Sequence, residues 1–328
     1  MNKNSIKPIS LHKLIVCSAS AIAVVLLAVL AINRTALRDI IRSMSFEKSE
    51  AISTLESQLG LTDRARITFE ASFPSLDASN IFNDHCATHD ADHAVLGCFT
   101  EEKIYIYDVK SEDLDGVVQS TAAHELLHAA WSRLSGREKN QLATALEQSY
   151  HDNCATLCDT ISTYAKEDQL DEIHSRLGTQ IADLPPNLER YYAKYFTDRA
   201  SIVSFYQKYS GVFTNIKSKI DTLSKELTAM KESIDSDTAS YTTQVQAYAA
   251  KVNKFNSCAA TAGCFSSSTF TTERKKLVTE YNNLDVMFSK LNIKISEYNN
   301  KVSEYNNTLI YGQKIENLIN SNSAPAEI

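Results

Sequence analysis

The final third of the chain carries a pattern of apolar residues that is typical of long paired helices. From Ile216 to Leu309 apolar residues recur at alternating steps of four and three, in two runs separated by a Ser-, Ala- and Thr-rich stretch at residues 256–269. This spacing places one apolar seam along each helix, and two such seams can bury each other. Only 8 Gly and 5 Pro occur in 328 residues, which favours a predominantly helical chain. The pattern predicts an antiparallel coiled-coil hairpin over residues 211–320.

A second helical segment contains a pattern suited to a metal ion. Residues 121–131 read Thr-Ala-Ala-His-Glu-Leu-Leu-His-Ala-Ala-Trp, so His124, Glu125 and His128 form an H-E-x-x-H sequence. Positions i and i+4 of a helix share one face, and both imidazoles can therefore bind the same Zn²⁺. We expect His124 and His128 to be metal ligands and Glu125 to be the general base that takes a proton from a metal-bound water.

The residues flanking this helix predict a strand and two helix ends. Residues 104–109 are mostly β-branched and aromatic and predict a strand. A strand ahead of an H-E-x-x-H helix is typical of zincin metallopeptidases, in which it borders the cleft and pairs with an extended substrate peptide. Asp113 or Asp115 is expected to cap the helix, and Gly136 to end it.

Catalytic zinc usually has three protein ligands, so a third ligand must come from elsewhere in the chain. The metzincin extension requires a Gly and a third His at positions that hold Trp131 and Leu134, which excludes that subfamily. The Gly-Thr-x-x-Asp pattern of Asp-ligand zincins is nearly present, but Asp183 comes one residue late. A glutamate on a second predicted helix, within residues 162–177, is the remaining option.

Two glutamates in that segment compete for the role of third ligand. Glu172 is favoured because His174 and Arg176 follow it closely, so that one cluster can supply a ligand and a transition-state donor. Glu167 is the alternative, because with Asp171 it forms the Glu-x-x-x-Asp spacing of other Glu-zincins. Gly178 and Thr179 are predicted to end the helix.

Residues 46–210 resemble a family of bacterial membrane-anchored proteins classed as zinc metallopeptidases of the Glu-zincin type. The likeness rests on H-E-x-x-H-A-A at 124–130, on Glu-x-His-Ser at 172–175 and on Tyr-Tyr-x-x-Tyr-Phe at 191–196. It implies a small zincin-like α+β domain with a short sheet. It also implies a zinc site with the ligands His124, His128 and Glu172 and the base Glu125.

The oxyanion formed in peptide hydrolysis needs a donor in addition to the metal. His174, Arg176, Tyr191 and Tyr192 are the candidates because they flank the proposed third ligand, and His174 is the one we predict to be catalytic. The tyrosines fit a helix face packed in the core equally well.

The N-terminal region is predicted to anchor the chain in a membrane. Residues 14–32 form an uncharged stretch of 19 residues, which is long enough for a transmembrane helix. A cleaved signal peptide with its processing site at residues 29–31 is the alternative. The predicted domains are a cytoplasmic tail and transmembrane helix (1–42), a zincin-like domain (43–210), the hairpin (211–320) and a disordered tail (321–328).

Six cysteines follow the apolar stretch and fall into three local pairs. Close spacing in even number predicts disulfides and an oxidising compartment. The predicted pairs are Cys86 with Cys98, Cys154 with Cys158, and Cys258 with Cys264. We therefore expect a single-pass cell-membrane protein whose catalytic domain lies outside the cytoplasm.

The formal net charge of −7 disfavours nucleic acid as a partner. The expected function is that of a zinc-dependent metallopeptidase acting on protein or peptide substrates, with an endopeptidase favoured over an exopeptidase. The alternative is a cell-surface interaction protein whose coiled coil binds a partner and whose zincin-like domain is inactive. The hairpin is expected to serve as a spacer, a homodimerisation element or a docking arm for another protein.

Overall fold

A computed structural model describes residues 34–86 and 95–322, which are mostly helical with one small sheet. The elements in chain order are α1 (Arg34–Ser45), α2 (Glu50–Leu59), α3 (Asp63–Ala71), β1 (Ser75–Asp77), α4 (Ser79–His85), β2 (Gly97–Thr100), β3 (Lys103–Tyr107), α5 (Val117–Ser132), α6 (Gly136–Asp152), α7 (Cys154–Ile161), α8 (Gln169–Gln180), α9 (Pro186–Tyr192), α10 (Arg199–Ala259) and α11 (Ser267–Ile319).

The described chain divides into two compact units. Residues 34–211 and 316–322 form the first unit, and Val212–Ile315 form the second. The boundary at residues 211 and 212 falls within the bounds of α10. The prediction of a predominantly helical α+β chain with a long helical hairpin is confirmed.

The sheet has three strands in the order β1-β3-β2, with β1 parallel and β2 antiparallel to β3. The predicted strand at residues 104–109 is β3, and it is paired on both sides. The expectation that this strand borders the cleft and pairs with a peptide is therefore wrong, because its backbone hydrogen bonds are already used. Strand β2 lies at an edge of the sheet.

Helix α5 carries the H-E-x-x-H sequence and begins and ends differently from the prediction. Gly116, with φ of 94°, occupies the N-cap position in place of the predicted Asp113 or Asp115. A side chain at Gly116 would also collide with the backbone of Phe205. Gly136 does not end α5 but begins α6, where Ser135 and Glu138 form a capping box.

Helix α5 is buried on nearly all sides, because it packs against α8, α3 and the sheet. Gly178 lies inside α8, so the prediction that it ends this helix is wrong. A Cβ atom at Gly178 would lie 2.4 Å from Cδ1 of Leu127 and 2.7 Å from Cε1 of Tyr192. The glycine is required for the close approach of α8 to α5 and not for a turn.

The second unit is a hairpin of two antiparallel helices. Tyr241 and Tyr248 on α10 contact Phe288 and Tyr281 on α11, with ring centroids 5.8 and 6.4 Å apart. Leucines of both helices are buried in the seam: Leu223, Leu284 and Leu291. The paired helices that were predicted from the alternating four- and three-residue spacing of apolar residues are therefore present.

All three predicted disulfides are present, which indicates that the folded region belongs to an extracytoplasmic compartment. None of the helices in residues 34–86 and 95–322 combines the length and hydropathy needed to cross a bilayer. The predicted transmembrane segment at 14–32 lies outside the described residues, as do residues 323–328 of the predicted disordered tail. Ser321 is buried and bonds to Asn83 on α4.

Candidate metal centre

Helix α5 places His124 and His128 side by side at its surface. The two side chains project one turn apart from the same face, and their Nε2 atoms are 3.0 Å from each other. Both residues are half-buried, while Ala122, Ala123, Ala129 and Ala130 around them are buried. The small neighbours let other elements pack closely around this turn without covering the imidazoles.

Helix α8 brings Glu172 to the two histidines. Its carboxylate oxygens lie 3.6 Å from Nε2 of His124 and 3.3 Å from Nε2 of His128. One ligand atom from each of the three residues lies within 4.8 Å of the others. Glu167 is exposed in the turn ahead of α8, so it is not on the same helix and does not belong to this group.

The spacing and chemistry of these donors fit a zinc ion. Ligand atoms bound at 2.0–2.1 Å around a tetrahedral Zn²⁺ lie about 3.3 Å from one another. The Nε2 atoms of His124 and His128 are 3.0 Å apart, and Glu172 approaches the first through Oε1 at 3.6 Å and the second through Oε2 at 3.3 Å, which is close to this spacing. Two imidazoles with one carboxylate are also a donor set used by catalytic zinc sites that retain an open position.

Asp171 orients one of the two histidines. Its Oδ1 lies 2.8 Å from Nδ1 of His128, which places the proton on Nδ1 and leaves Nε2 available as a ligand. From the sequence, Asp171 was considered only as part of the Glu167 alternative. The sequence did contain a signal for this role, since Asp171 directly precedes Glu172. Adjacent acidic residues on a helix can contact two different groups of one site.

Arg176 holds the proposed third ligand in position. Its Nε donates to Oε1 of Glu172 at 2.6 Å, one turn along α8, and Nη2 lies 3.4 Å from the hydroxyl of Tyr164. Burial raises the pKa of the Glu172 carboxyl, but the histidines and Arg176 outweigh burial, so that the pKa lies far below its usual range. Glu172 is therefore ionised, as a metal ligand must be.

Glu125 is buried beside the histidines, and burial raises the pKa of its carboxyl. Strand β2 reaches this carboxylate at Gly97, where a Cβ atom would lie 3.0 Å from Oε1 of Glu125 and 2.5 Å from Cγ2 of Thr121. Only glycine permits this approach of the edge strand to α5. Gly97 was not predicted from the sequence, although a glycine within a short strand is a known signal for close backbone contact.

His174 faces the interior of the domain and not the proposed metal ligands. The side chain is 0% exposed, its ring centroid is 5.0 Å from that of Trp131, and its Nε2 lies 3.0 Å from the hydroxyl of Tyr191. Two residues after Glu172, a helix has turned by about 200°. This position does not suit the predicted catalytic role, because a substrate cannot reach the imidazole.

The tyrosines predicted as possible oxyanion donors are engaged in the same core. Tyr191 bonds to His174, and Tyr192 donates to the carbonyl oxygen of His174 at 2.7 Å. Both side chains are buried, and burial raises the pKa of both phenols. They agree with the interpretation of this motif as a packed helix face.

Positive charge is stabilised where the carboxylates of Glu125, Asp171 and Glu172 meet the histidines. Burial lowers the pKa of His128, but hydrogen bonds to Asp171 and Glu172 outweigh burial and raise the pKa well above its usual value. A divalent cation bound at Nε2 would balance the negative charge of the same carboxylates. These side chains therefore form a group that can hold a metal ion.

No protein-family model, curated protein or solved structure matches this chain. Its function is therefore inferred from the side chains of this centre.

Proposed function

We propose that this chain is a membrane-anchored, extracytoplasmic zinc metallopeptidase of the Glu-zincin type. The observation that carries the proposal is the meeting of His124, His128 and Glu172, with Glu125 buried one residue from the first histidine. A metal site that is only structural does not need a carboxylate such as that of Glu125 next to its ligands. The Glu-zincin type and the membrane anchor are part of the proposal and rest on the sequence motifs of residues 46–210 and on the uncharged segment at 14–32.

Each side chain of the centre has a separate task in this proposal. When bound, zinc supplies a water of lowered pKa and polarises the scissile carbonyl. Glu125 accepts the water proton and delivers it to the leaving amine, and burial moves the pKa of Glu125 in the direction that favours both steps near neutral pH. Asp171 and Arg176 fix the orientations of His128 and Glu172.

Strand β2 is the proposed border of the substrate cleft. Among the described residues it pairs with β3 alone, and Gly97 brings it against Glu125. An extended peptide added to this edge would lie alongside the general base, and its backbone would supply the missing hydrogen bonds. The assignment favours an endopeptidase, because a strand edge binds residues on both sides of the scissile bond.

Metal analysis and peptide hydrolysis of the full chain test this function together. We expect about one zinc per chain and cleavage of a quenched fluorescent peptide library that is lost with a chelator. Glu125→Gln should keep zinc but lower hydrolysis by about 100-fold or more, because an amide cannot accept the proton. Glu147→Gln, at an exposed position of α6, is the matched control and should leave both unchanged.

An interaction protein with an inactive zincin-like domain is the second candidate. Apolar side chains stand exposed along α11, at Val278, Val286, Ile293 and Ile310, and such a surface suits a protein partner. Zinc-loaded chain that cleaves no member of the library, or a Glu125→Gln variant as active as the parent, would favour this candidate over the enzyme.

A further inference from the structure

Helix α1 has the reverse polarity of an ordinary surface helix. The side chains that face the domain are polar: Asp39 accepts a hydrogen bond from Arg133 at 2.7 Å, and Arg42 donates to the carbonyl oxygen of Ala71 at 2.6 Å. Ser43 donates to Glu70 on the same side. These polar contacts dock α1 onto the domain without burying its apolar residues.

The opposite face of α1 is apolar and exposed. Leu37, Ile40, Ile41 and Met44 follow the spacing i, i+3, i+4, i+7, which lines them up along one side of the helix. Their exposed fractions are 44%, 43%, 60% and 83%. Single exposed apolar residues are ordinary, but a continuous stripe of four on one helix marks a surface that another apolar phase covers.

The position of α1 in the chain indicates what covers the stripe. The helix begins two residues after the uncharged segment at 14–32. Its other face binds the domain through Asp39, Arg42 and Ser43, so α1 can lie along a bilayer with only its apolar stripe in the apolar phase. Arg34 is exposed beside the stripe, where it complements anionic headgroups, while Arg38 next to it pairs with Glu102 at 2.8 Å.

We propose that α1 is an interfacial helix whose stripe of Leu37, Ile40, Ile41 and Met44 enters the boundary between headgroups and acyl chains of a phospholipid bilayer. This surface is separate from the metal centre and does not depend on catalysis. Because Asp39 binds Arg133, the residue that follows the last turn of α5, the membrane-facing helix is tied directly to the helix that carries the histidines. The first unit is thereby held against the membrane in one orientation.

Tryptophan fluorescence of the full chain in phospholipid vesicles tests this surface. Ile41→Trp and Met44→Trp place probes in the stripe, and Asn140→Trp, at an exposed position of α6, is the control. The emission of Trp131 is subtracted with the parent chain. Vesicles of phosphatidylcholine and phosphatidylglycerol with brominated acyl chains should reduce the emission of both stripe probes and shift it to the blue, whereas iodide in the water should quench only the control.

Three other outcomes would each overturn the inference. Iodide quenching of the stripe probes as strong as that of the control would place the stripe in water. Protection from both quenchers would show that a second copy of the chain or another protein covers it. Brominated lipid that quenches the control as strongly as the stripe would show no preferred face.

Discussion

At the scale of single residues, two adjacent acidic side chains of α8 have different tasks. Glu172 faces the Nε2 atoms of both histidines, whereas Asp171 contacts Nδ1 of His128. Successive helix positions diverge by about 100°, so the two carboxylates approach the histidine pair from different sides. One dipeptide therefore supplies a proposed metal ligand, Glu172, and the group that orients another proposed ligand, His128.

Removing the proposed third ligand should remove the metal. We expect Glu172→Ala to lower zinc affinity by more than about 100-fold, which exceeds the usual effect of an orienting residue. Glu167→Ala is the matched control, because Glu167 is exposed ahead of α8 and should leave zinc bound. Zinc per chain after dialysis against a weak chelator measures both. Metal lost from the Glu167 variant and retained by the Glu172 variant would reverse the assignment.

Replacing the orienting carboxylate should weaken the site without abolishing it. Asp171→Asn keeps the size of the side chain but removes the charge that stabilises the proton on Nδ1 of His128, so zinc affinity should fall about 10- to 100-fold. A competition titration with a fluorescent zinc chelator measures this change. Asp168→Asn, exposed at the start of α8, serves as the control. Equal affinities for the two variants would leave Asp171 without this role.

At the scale of elements, the contact between α5 and α8 builds the centre. Gly178 allows the two helices to approach closely enough for Glu172, six residues earlier, to reach the histidines. Tyr192 closes the contact from α9, where its hydroxyl is fixed to the carbonyl oxygen of His174. The proposed metal site depends on this packing as much as on its ligands.

A methyl group at Gly178 should therefore destabilise the first unit. Gly178→Ala introduces a clash with Leu127 and Tyr192, and overpacking typically costs about 1–3 kcal/mol, of which better helix propensity returns about 1. Tyr192 cannot move aside without losing its hydrogen bond. Thermal unfolding of the full chain should show a lower midpoint for the transition of the first unit.

Gly136→Ala provides the control for this substitution. Gly136 begins α6, and a methyl group there would have no neighbouring atom within 4 Å, so alanine should be neutral or stabilise by up to about 1 kcal/mol. Identical unfolding midpoints for the two alanine variants would show that the approach of α8 to α5 is not tight at Gly178.

At the scale of the whole molecule, the hairpin has its own internal interactions. Ion pairs connect its two helices at Lys219 with Glu304, Lys251 with Glu280, and Lys294 with Asp237. The Cys258–Cys264 disulfide closes its tip, where Phe255, Phe265 and Phe270 cluster. The seam and the tip both lie within Val212–Ile315.

The isolated hairpin should fold without the metal centre. Circular dichroism of the fragment Val212–Ile315 should show a helical spectrum that a chelator does not change. Reduction of the short disulfide loop should cost about 2 kcal/mol in the free energy of unfolding and leave the helices paired. An unfolded fragment would contradict this prediction and mean that the hairpin needs the first unit to fold.

The sequence by itself determined the features that arise from nearby residues. The shared face of His124 and His128 follows from a four-residue spacing, and each disulfide joins cysteines no more than 12 residues apart. The hairpin was predictable because the spacing of its apolar residues repeats over many helical turns. One residue that departs from the pattern therefore does not change which side of the helix is apolar. In each of these cases the partners are connected by a short stretch of chain or by a regular helix.

Only the tertiary structure decided the features that depend on distant segments. The sequence favoured Glu172 but left Glu167 open, and it is the start of α8 at Gln169 and its packing on α5 that bring Glu172 to the histidines. Gly178 was predicted to end a helix and Gly97 was not singled out, but both are sites of close approach. Such contacts are set by how helices and strands pack in three dimensions, and no local spacing encodes that arrangement.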